Sequence, residues 1–370
     1  MLRTAFRYPA IRPLIPPPSR WLPYLETSYE ARWYSNFGPL VRQFESALTD
    51  KFCYPGEQMK LAASGTTAIA GALIAMGVRG TVLIPAFSFP ATAAGVVMAG
   101  AHPCVLDVDP MTWTFSTDLL ASALRNHPCE CVILVVPFGI ARDFEAHFEI
   151  CQRHDVSVLI DNAAGLGAKT VPLPSDRCME VYSMHATKPF AIGEGGAIRA
   201  PKSQEMALHR ALNFGLLGGE PFPGSWGING KMPEISAAVG LAVLEDMEDV
   251  LGRRIAAAAR YLEIAQAFDD LLHPSFIDRA PWQTFPIAFP RPAMAETFIN
   301  TAAALGLEIR SGYHPGLEDW PGTSKIARCP NSRSLTERMG CLPIYSDATE
   351  QEIADMVEIA SEALTGAAAM

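Results

Sequence analysis

The stretch that decides the fold of this chain is YSMHATKPF at 182–190, followed by GEGG at 193–196. It begins as a short apolar run, and Lys188 then stands among small polar residues, before a glycine-rich turn. A lysine that a pocket removes from water can become a neutral amine, which is able to form an imine. The following glycines would let the backbone approach a flat ligand closely. We therefore predict that Lys188 lies in a ligand site.

On both sides of this stretch, short apolar runs alternate with helical patterns. Strands are predicted at 60–63, 81–87, 103–108, 131–138, 156–160, 181–184 and 196–200. Helices are predicted at 66–76, 91–99, 117–125, 144–154 and 204–213. Uniformly apolar strands that alternate with helices indicate an α/β fold with a mainly parallel sheet covered on both faces. Active sites in such sheets lie at the carboxyl ends of the strands.

Two features divide the chain into predicted domains. A proline-rich opening predicts an extended N-terminal arm, assigned to 1–30. A helical pattern from Met232 to Leu272 predicts one long helix between two lobes, with a break near Gly252 as the alternative. We assign 31–250 to a large domain and 251–370 to a small C-terminal α+β domain. The small domain has predicted strands near 284–289 and 307–311, and helices near 293–305 and 349–364.

The composition and charge of the chain argue against several classes of protein. The 370 residues carry a net charge of −10 and no long basic run, so nucleic acid is a poor candidate partner. No apolar stretch is long enough to span a membrane, and the N-terminus lacks the apolar core of a secretory signal. The eight cysteines are scattered, which predicts reduced thiols of a cytoplasmic protein and no metal site.

Two further segments suit a phosphorylated ligand. ASGTT at 63–67 follows a predicted strand and opens a helix, so its backbone N–H groups could bind a phosphate; simple capping by Ser64 or Thr66 is the alternative. Asp161 ends an apolar run, where its carboxylate could pair with a cationic ring nitrogen or merely cap the next turn. With Lys188, these are the parts needed to hold pyridoxal phosphate.

These motifs together resemble the DegT/StrS-type sugar aminotransferases, a branch of the fold-type I pyridoxal-phosphate enzymes. The resemblance runs from about Trp33 to Ile353 and implies an aspartate-aminotransferase-like fold. Its marks are SNFGP at 35–39, SGT at 64–66, PAF at 85–87, GAHP at 100–103, HATK at 185–188, GEGG at 193–196, NFG at 213–215, and NGKM at 229–232 with Glu234.

The resemblance implies roles for the matching residues. Lys188 would be the catalytic Schiff-base lysine, Asp161 the partner of the pyridine nitrogen, and Phe87 an aromatic residue stacked on the cofactor ring. Asn229 would reach a phosphate in the neighbouring subunit, which implies a homodimer with a composite active site. The remaining cofactor contacts would come from Gly65, Thr66, Thr67, Ser183 and His185. Substrate contacts would come from Glu194, Tyr313 and His314.

The implied activity moves an amino group from a donor such as L-glutamate to a nucleotide-linked keto sugar, making an amino sugar for a polysaccharide or secondary metabolite. One departure is Ala164, where many relatives carry Gln or His near the phenolic oxygen of the cofactor. An aminotransferase acting on another cyclic ketone, such as an aminocyclitol precursor, remains an alternative. A non-catalytic ligand-binding regulator on the same fold is another.

Overall fold

The chain is built around one large β-sheet, in a computed structural model that describes residues 6–274 and 280–369. Two small two-stranded sheets accompany it. In chain order the strands are β1 (Glu57–Ala62), β2 (Thr81–Pro85), β3 (His102–Leu106), β4 (Cys131–Val135), β5 (Ser157–Asp161), β6 (Cys178–Ser183), β7 (Gly196–Pro201), β8 (Leu216–Leu217), β9 (Glu220–Pro221), β10 (Thr284–Ala288), β11 (Ser324–Lys325) and β12 (Met339–Pro343).

Eight of these strands form the large sheet, in the order β1-β7-β6-β5-β4-β2-β3-β11. All neighbours from β6 to β11 are parallel, and β7 alone runs antiparallel to both of its neighbours, β6 and β1. In register, Asp161 of β5 pairs with Val135 of β4 and with Val181 of β6. The carboxyl ends of these three strands therefore form one edge of the sheet.

Helices connect and cover the strands. They are α1 (Pro18–Ala31), α2 (Pro39–Phe52), α3 (Gly65–Ala75), α4 (Pro90–Met98), α5 (Thr117–Asn126), α6 (Glu145–Arg153), α7 (Glu205–Leu212), α8 (Glu234–Glu245), α9 (Met247–Ala265), α10 (Pro292–Ala304), α11 (Pro330–Arg338) and α12 (Glu350–Ala368). The predicted elements around the large sheet are confirmed within a few residues at each end. The helices α2 and α11 and the strands β8, β9, β11 and β12 were not predicted.

The central strands are apolar because both faces of the sheet are buried. In β4, Ile133 belongs to one cluster of buried apolar side chains, whereas its neighbours Val132 and Leu134 belong to a second cluster. Successive side chains of a strand point to opposite faces, so the two clusters lie on opposite sides of the sheet. This explains why a continuous apolar run marks these strands in the sequence.

The predicted long helix at 232–272 is wrong. It consists of α8 and α9, separated at Asp246, and α9 ends at Ala265. The ψ angle of Asp246 is 3°, which interrupts the helix, and Glu248 and Asp249 favour a new start because acidic residues stabilise a helix N-terminus. Gly252, where a break could have been expected, lies inside α9.

The predicted extended arm at 1–30 is only partly correct, and its first five residues lie outside the described part of the chain. Residues 18–31 form α1, which begins with Pro18, because proline is well suited to the first turn of a helix. Before α1, the backbone of Tyr8 pairs with Leu307, with the Tyr8 N–H donating to Gly306 O at 2.9 Å. The N-terminal segment therefore lies along the C-terminal part of the protein.

The C-terminal part contributes most of a third cluster of buried apolar side chains, which includes Trp282, Phe285 and Phe298. Its sheet is the antiparallel pair β10 and β12. The predicted strand at 307–311 is not formed, since Leu307 and Arg310 make only isolated bridges, to Tyr8 and Cys341. The domain limits at 30 and 250 stay predictions, and residues 275–279 and 370 of the predicted small domain lie outside the described residues.

Among residues 6–274 and 280–369, no helix combines the length and apolar character required to cross a bilayer. The same residues contain no group of three or more His, Cys, Asp or Glu side chains arranged to hold a metal ion. The cysteines are free thiols.

Candidate active site

A cavity of about 740 Å³ opens at the carboxyl edge of the large sheet. Asp161, Ser183 and Lys188 line it, together with the turn that begins α3. Residues 10–12 and Leu14 of the N-terminal segment, and residues 310–315 of the C-terminal part, complete its wall. The tertiary structure thus brings the three segments singled out in the sequence to one place.

Asp161 is the last residue of β5 and its side chain is buried. Its Oδ2 accepts a hydrogen bond of 2.7 Å from the hydroxyl of Thr92, and its Oδ1 accepts one of 3.2 Å from the backbone N–H of Ala163. Burial raises the pKa of Asp161, while the bond from Thr92 and the charge of Lys188 oppose the rise. The carboxylate is therefore held in a fixed orientation, facing the cavity.

Lys188 lies in a tight turn after β6, where its backbone N–H donates to His185 O at 2.8 Å. Its Nζ donates to Gln283 Oε1 at 2.9 Å. Burial lowers the pKa of Lys188 to about 8, and the charge of Asp161 partly opposes this effect. A larger fraction of this amine is therefore neutral near physiological pH than of an ordinary lysine, and the neutral form is the one needed for nucleophilic attack.

The turn at the start of α3 is capped by two side chains. The hydroxyl of Ser64 accepts from the Thr67 N–H at 3.1 Å, and the hydroxyl of Thr67 accepts from the Ser64 N–H at 2.8 Å. Capping, the alternative left open by the sequence, is therefore confirmed. Thr67 does not line the cavity, so its expected contact with the cofactor is not supported.

Gly65 and Thr66 do line the cavity, beside Ser183. A Cβ atom at Gly65 would lie only 2.8 Å from Ser183 Cβ, so a side chain there would collide with β6. Glycine is therefore required at this position. Its backbone N–H, at the N-terminus of α3, remains suited to an anion.

The expectation that Phe87 stacks on a cofactor ring needs correction. Phe87 is fully buried and packs edge-on against Tyr313, with ring centroids 4.9 Å apart, so it does not line the cavity. Phe89, two residues later, is 62% exposed and does line it. The sequence contained a signal for this difference, because Phe89 directly precedes Pro90, the first residue of α4, and so leaves the buried strand.

His185 and Glu194 both line the cavity at its rim. The Nδ1 of His185 lies 3.0 Å from the Thr187 hydroxyl, and its Nε2 lies 3.5 Å from Glu194 Oε1. More than two fifths of the His185 side chain is exposed, and Glu194 is more exposed still. The two side chains therefore contact each other beside the glycine turn. Their assigned contacts with cofactor and substrate stay predictions.

Tyr313 and His314 lie on the opposite wall. The Tyr313 ring stacks on Phe138 at a centroid distance of 5.0 Å, and burial raises the pKa of its phenol. Ala164 also lines the cavity and is buried. A Cβ atom at the neighbouring Gly139 would lie 2.6 Å from Ala164 O, so the backbone here is tightly packed.

Asn229 is exposed and does not line the cavity of its own chain. It forms an isolated bridge with Asn213, just before α8. Its placement is compatible with a contact to a second subunit, which stays a prediction.

Besides Phe89, three residues that the sequence did not single out take part in this site. Thr92 holds Asp161, and Gln283 holds Lys188. Arg254 also lines the cavity and donates to the backbone carbonyl oxygen of Gln283. Thr92 could have been found, because it stands in the first turn of the helix that follows β2 and hence at the active edge. Gln283 and Arg254 carry no local signal of this kind.

Comparisons with known proteins agree with this geometry. The model of the DegT/DnrJ/EryC1/StrS aminotransferase family matches residues 19–361. Protein Rv3402c of Mycobacterium tuberculosis (strain ATCC 25618 / H37Rv) is 30% identical over 384 residues, covering 96% of this chain and 90% of that protein. The dTDP-4-amino-4,6-dideoxy-D-glucose transaminase of Shigella dysenteriae is 28% identical over 348 residues, covering 91% and 93%.

Among solved structures, that of DesI in the presence of its TDP-sugar product matches with a TM-score of 0.85 and 25% identity. The match covers 99% of this chain and 95% of DesI. The structure of a putative PLP-dependent aminotransferase from Bacillus cereus matches with a TM-score of 0.86 and 24% identity, covering 95% of this chain and 99% of that chain. The predicted fold class, an α/β fold like that of aspartate aminotransferase, is confirmed.

Proposed function

This chain belongs to the DegT/DnrJ/EryC1/StrS aminotransferase family, and from that premise we propose its reaction. It transfers an amino group, with pyridoxal phosphate, from L-glutamate to a keto sugar carried on a nucleoside diphosphate. The observation that carries this proposal is the cavity that contains both the half-buried Lys188, whose amine has a lowered pKa, and the buried carboxylate of Asp161.

The residues present suit pyridoxal phosphate. Among the described residues, the Asp161 carboxylate has no ion-pair partner within hydrogen-bond distance, so a cationic ring nitrogen would supply the missing counter-charge. The Gly65 backbone and the Ser183 hydroxyl form a cradle for the phosphate, and Phe89 offers an aromatic face. When bound, the cofactor supplies an aldehyde for the amino group and a ring that takes up electron density.

The side chains of this chain then have distinct tasks. Asp161, oriented by Thr92, favours the protonated form of the ring nitrogen. Lys188 would hold the cofactor through its amine and, as a neutral amine, would move a proton at the reacting carbon of the substrate. Its pKa of about 8 suits an acid–base role near neutral pH, because the ideal pKa of such a group lies near the working pH.

The assignment of the acceptor rests on the names of relatives. The Shigella relative is named a transaminase of a dTDP-linked amino sugar, and DesI was solved with a TDP-sugar product. The cavity volume of about 740 Å³ lies within the usual range for small-molecule sites. The product class would be an amino sugar used for a polysaccharide or a secondary metabolite.

A homodimer with a composite site is part of the proposal. Asn229 stands away from the cavity of its own chain, on a segment near exposed apolar side chains. Trp226 is 82% exposed and Phe222 is 42% exposed, which is costly for a surface that meets only water. A second copy of the chain would cover them and carry Asn229 to the neighbouring cavity.

The test begins with the visible absorption of the purified protein plus pyridoxal phosphate, before and after L-glutamate. We expect the absorption of the lysine-linked cofactor to appear and then to be replaced by that of its aminated form. Lys188→Ala should lose both signals, and Lys202→Ala, which removes an exposed lysine, should keep them.

Keto sugars linked to nucleoside diphosphates are then offered to the aminated enzyme, with product detected by mass spectrometry. Amination of such a sugar, but not of cyclic ketones without a nucleotide, supports the proposal. Amination only of cyclic ketones without a nucleotide would overturn the acceptor class. If adding L-glutamate leaves the absorption unchanged, the proposal that L-glutamate is the amino donor is overturned.

A further inference from the structure

The amine of Lys188 is held by a neutral amide from the C-terminal part of the chain. Its Nζ donates to Gln283 Oε1 at 2.9 Å, and Gln283 directly precedes β10. Lys188 and Gln283 are 95 residues apart, so the bond joins two distant segments across the cavity that both line. Because the nitrogen uses an N–H in this bond, the lone pair of the neutral amine remains available to the cavity.

Arg254 of α9 fixes the backbone of this segment. Its guanidinium donates to three successive carbonyl oxygens: Nε to Pro281 O at 3.0 Å, and Nη2 to Trp282 O at 2.6 Å and to Gln283 O at 3.1 Å. Its Nη1 donates to Ser346 Oγ at 2.9 Å. One side chain therefore ties α9 and the loop after β12 to the segment that carries Gln283.

Burying the charged side chain of Arg254 in the protein interior costs free energy. Arg254 is 4% exposed, and among the described residues no carboxylate accepts a hydrogen bond from it. Burial lowers its pKa to about 9. A buried charge without an ionic partner destabilises the fold unless its hydrogen bonds compensate, and here those bonds hold residues 281–283 and Ser346, of which Gln283 and Ser346 line the cavity.

We propose that Gln283, fixed in place by Arg254, is a positioning residue that holds the amine of Lys188 whenever that amine is not bonded to cofactor. The bond holds Nζ at one point of the cavity that both residues line. This inference rests on the proposed function, in which Lys188 is the reacting amine. Its test measures the pKa of that amine and requires no enzymatic turnover.

The test measures the pKa of Lys188 in the full-length protein freed of cofactor. Acetic anhydride labels amines only in their neutral form, and mass spectrometry of the peptide that contains Lys188 gives its labelling rate at each pH. The exposed Lys202 is the internal reference. Besides burial, Asp161 is the charged group that acts on Lys188, and it is left unchanged.

Two substitutions of Gln283 should move this pKa in opposite directions. Gln283→Met keeps the length but removes the acceptor, so the ammonium form loses a hydrogen bond and the pKa should fall. Gln283→Glu places a carboxylate beside Nζ and should raise the pKa of Lys188 by about one unit or more. If neither variant changes the pKa of Lys188, the proposal is overturned.

The role of Arg254 is tested by Arg254→Lys in the parent and in the Gln283→Met background. A residue that acts through Gln283 should shift the pKa of Lys188 in the parent only. Equal shifts in both backgrounds would overturn this part. Arg253→Lys is the matched control. Arg253 donates a hydrogen bond to the backbone carbonyl oxygen of Ser346, but it bonds none of the residues 281–283. If Arg254→Lys fails to fold, Ser346→Ala replaces it, since it removes one anchor only.

The two proposals can fail separately. The labelling experiment needs neither cofactor nor substrate, so a protein without aminotransfer can still show the shifts expected for Gln283. Conversely, unchanged pKa values in a protein that aminates sugars would overturn the role of Gln283 alone.

Discussion

The hydroxyl of Thr92 donates to Asp161 Oδ2 over 2.7 Å, and both side chains are buried. Thr92 belongs to α4 and Asp161 ends β5, so the bond ties the helix after one strand to the tip of another. The Thr92 hydroxyl is itself within 2.8 Å of the Ser88 hydroxyl. The carboxylate therefore cannot rotate without breaking a chain of buried hydrogen bonds.

Removing this hydroxyl should weaken the site. We expect Thr92→Val to raise the pKa of Asp161, because the bond from Thr92 lowers it, and to reduce pairing with a cationic ring. A hydrogen bond to a charged group contributes about 1.5–3 kcal/mol, so the affinity for pyridoxal phosphate should fall at least tenfold. A spectroscopic titration with the cofactor measures this, and Thr92→Ser, which keeps a hydroxyl, should bind nearly as the parent does. Equal affinities of the parent and Thr92→Val would contradict the assigned role.

Burial of Lys188 makes the stability of the cofactor-free protein depend on pH. Folding lowers the pKa of Lys188 from its usual 10.5 to about 8. Between these values the unfolded chain binds the proton and the folded chain does not, so stability rises with pH in this window. Below pH 8 the whole cost of burying the ammonium is present.

We therefore expect Lys188→Met to be more stable than the parent at pH 7 by about 3 kcal/mol, with the gain vanishing above about pH 10.5. Urea denaturation of both proteins at several pH values tests this. Lys202→Met changes an exposed lysine and should show no such trend. A stability gain of the same size at pH 7 and pH 11 would refute a burial origin.

Phe87 and Phe89 should respond to truncation in opposite ways. Phe87→Ala removes a fully buried ring and should lower the free energy of unfolding by about 3–5 kcal/mol. Phe89→Ala removes an exposed ring and should leave stability nearly unchanged, while cofactor affinity falls. Denaturation and cofactor titration of both variants distinguish these effects. A Phe89→Ala variant that binds the cofactor like the parent would show that Phe89 does not contact it.

A composite site predicts recovery of activity from two inactive variants. We expect Lys188→Ala and Asn229→Ala each to be inactive or nearly so, because each damages both sites of a homodimer. In a mixed dimer, one site receives both defects and the other receives neither, so unfolding and refolding the mixture should restore up to about one quarter of the parent activity. Activity that stays at the level of the separate variants after mixing would indicate a site within one chain.

Local patterns predicted much of the large sheet. Strands β4 and β5 are buried on both faces, and burial of both faces requires a continuous run of apolar residues in the sequence. The same pattern placed Asp161 at a strand end, which the structure confirms. The break at Asp246 escaped prediction, because the apolar spacing continues through α8 and α9 while the backbone turns between them.

The sequence by itself determined the alternation of strands and helices, the position of Asp161 at the end of one strand and the position of Lys188 shortly after the end of another. These depend on residues close in the chain, whose periodicity follows from backbone geometry. Only the tertiary structure decided that Phe89 and not Phe87 lines the cavity, and that Gln283 holds Lys188 while Arg254 donates to the backbone of Gln283. These contacts join residues far apart in the chain, and packing of the two parts, rather than any local pattern, selects which side chains meet.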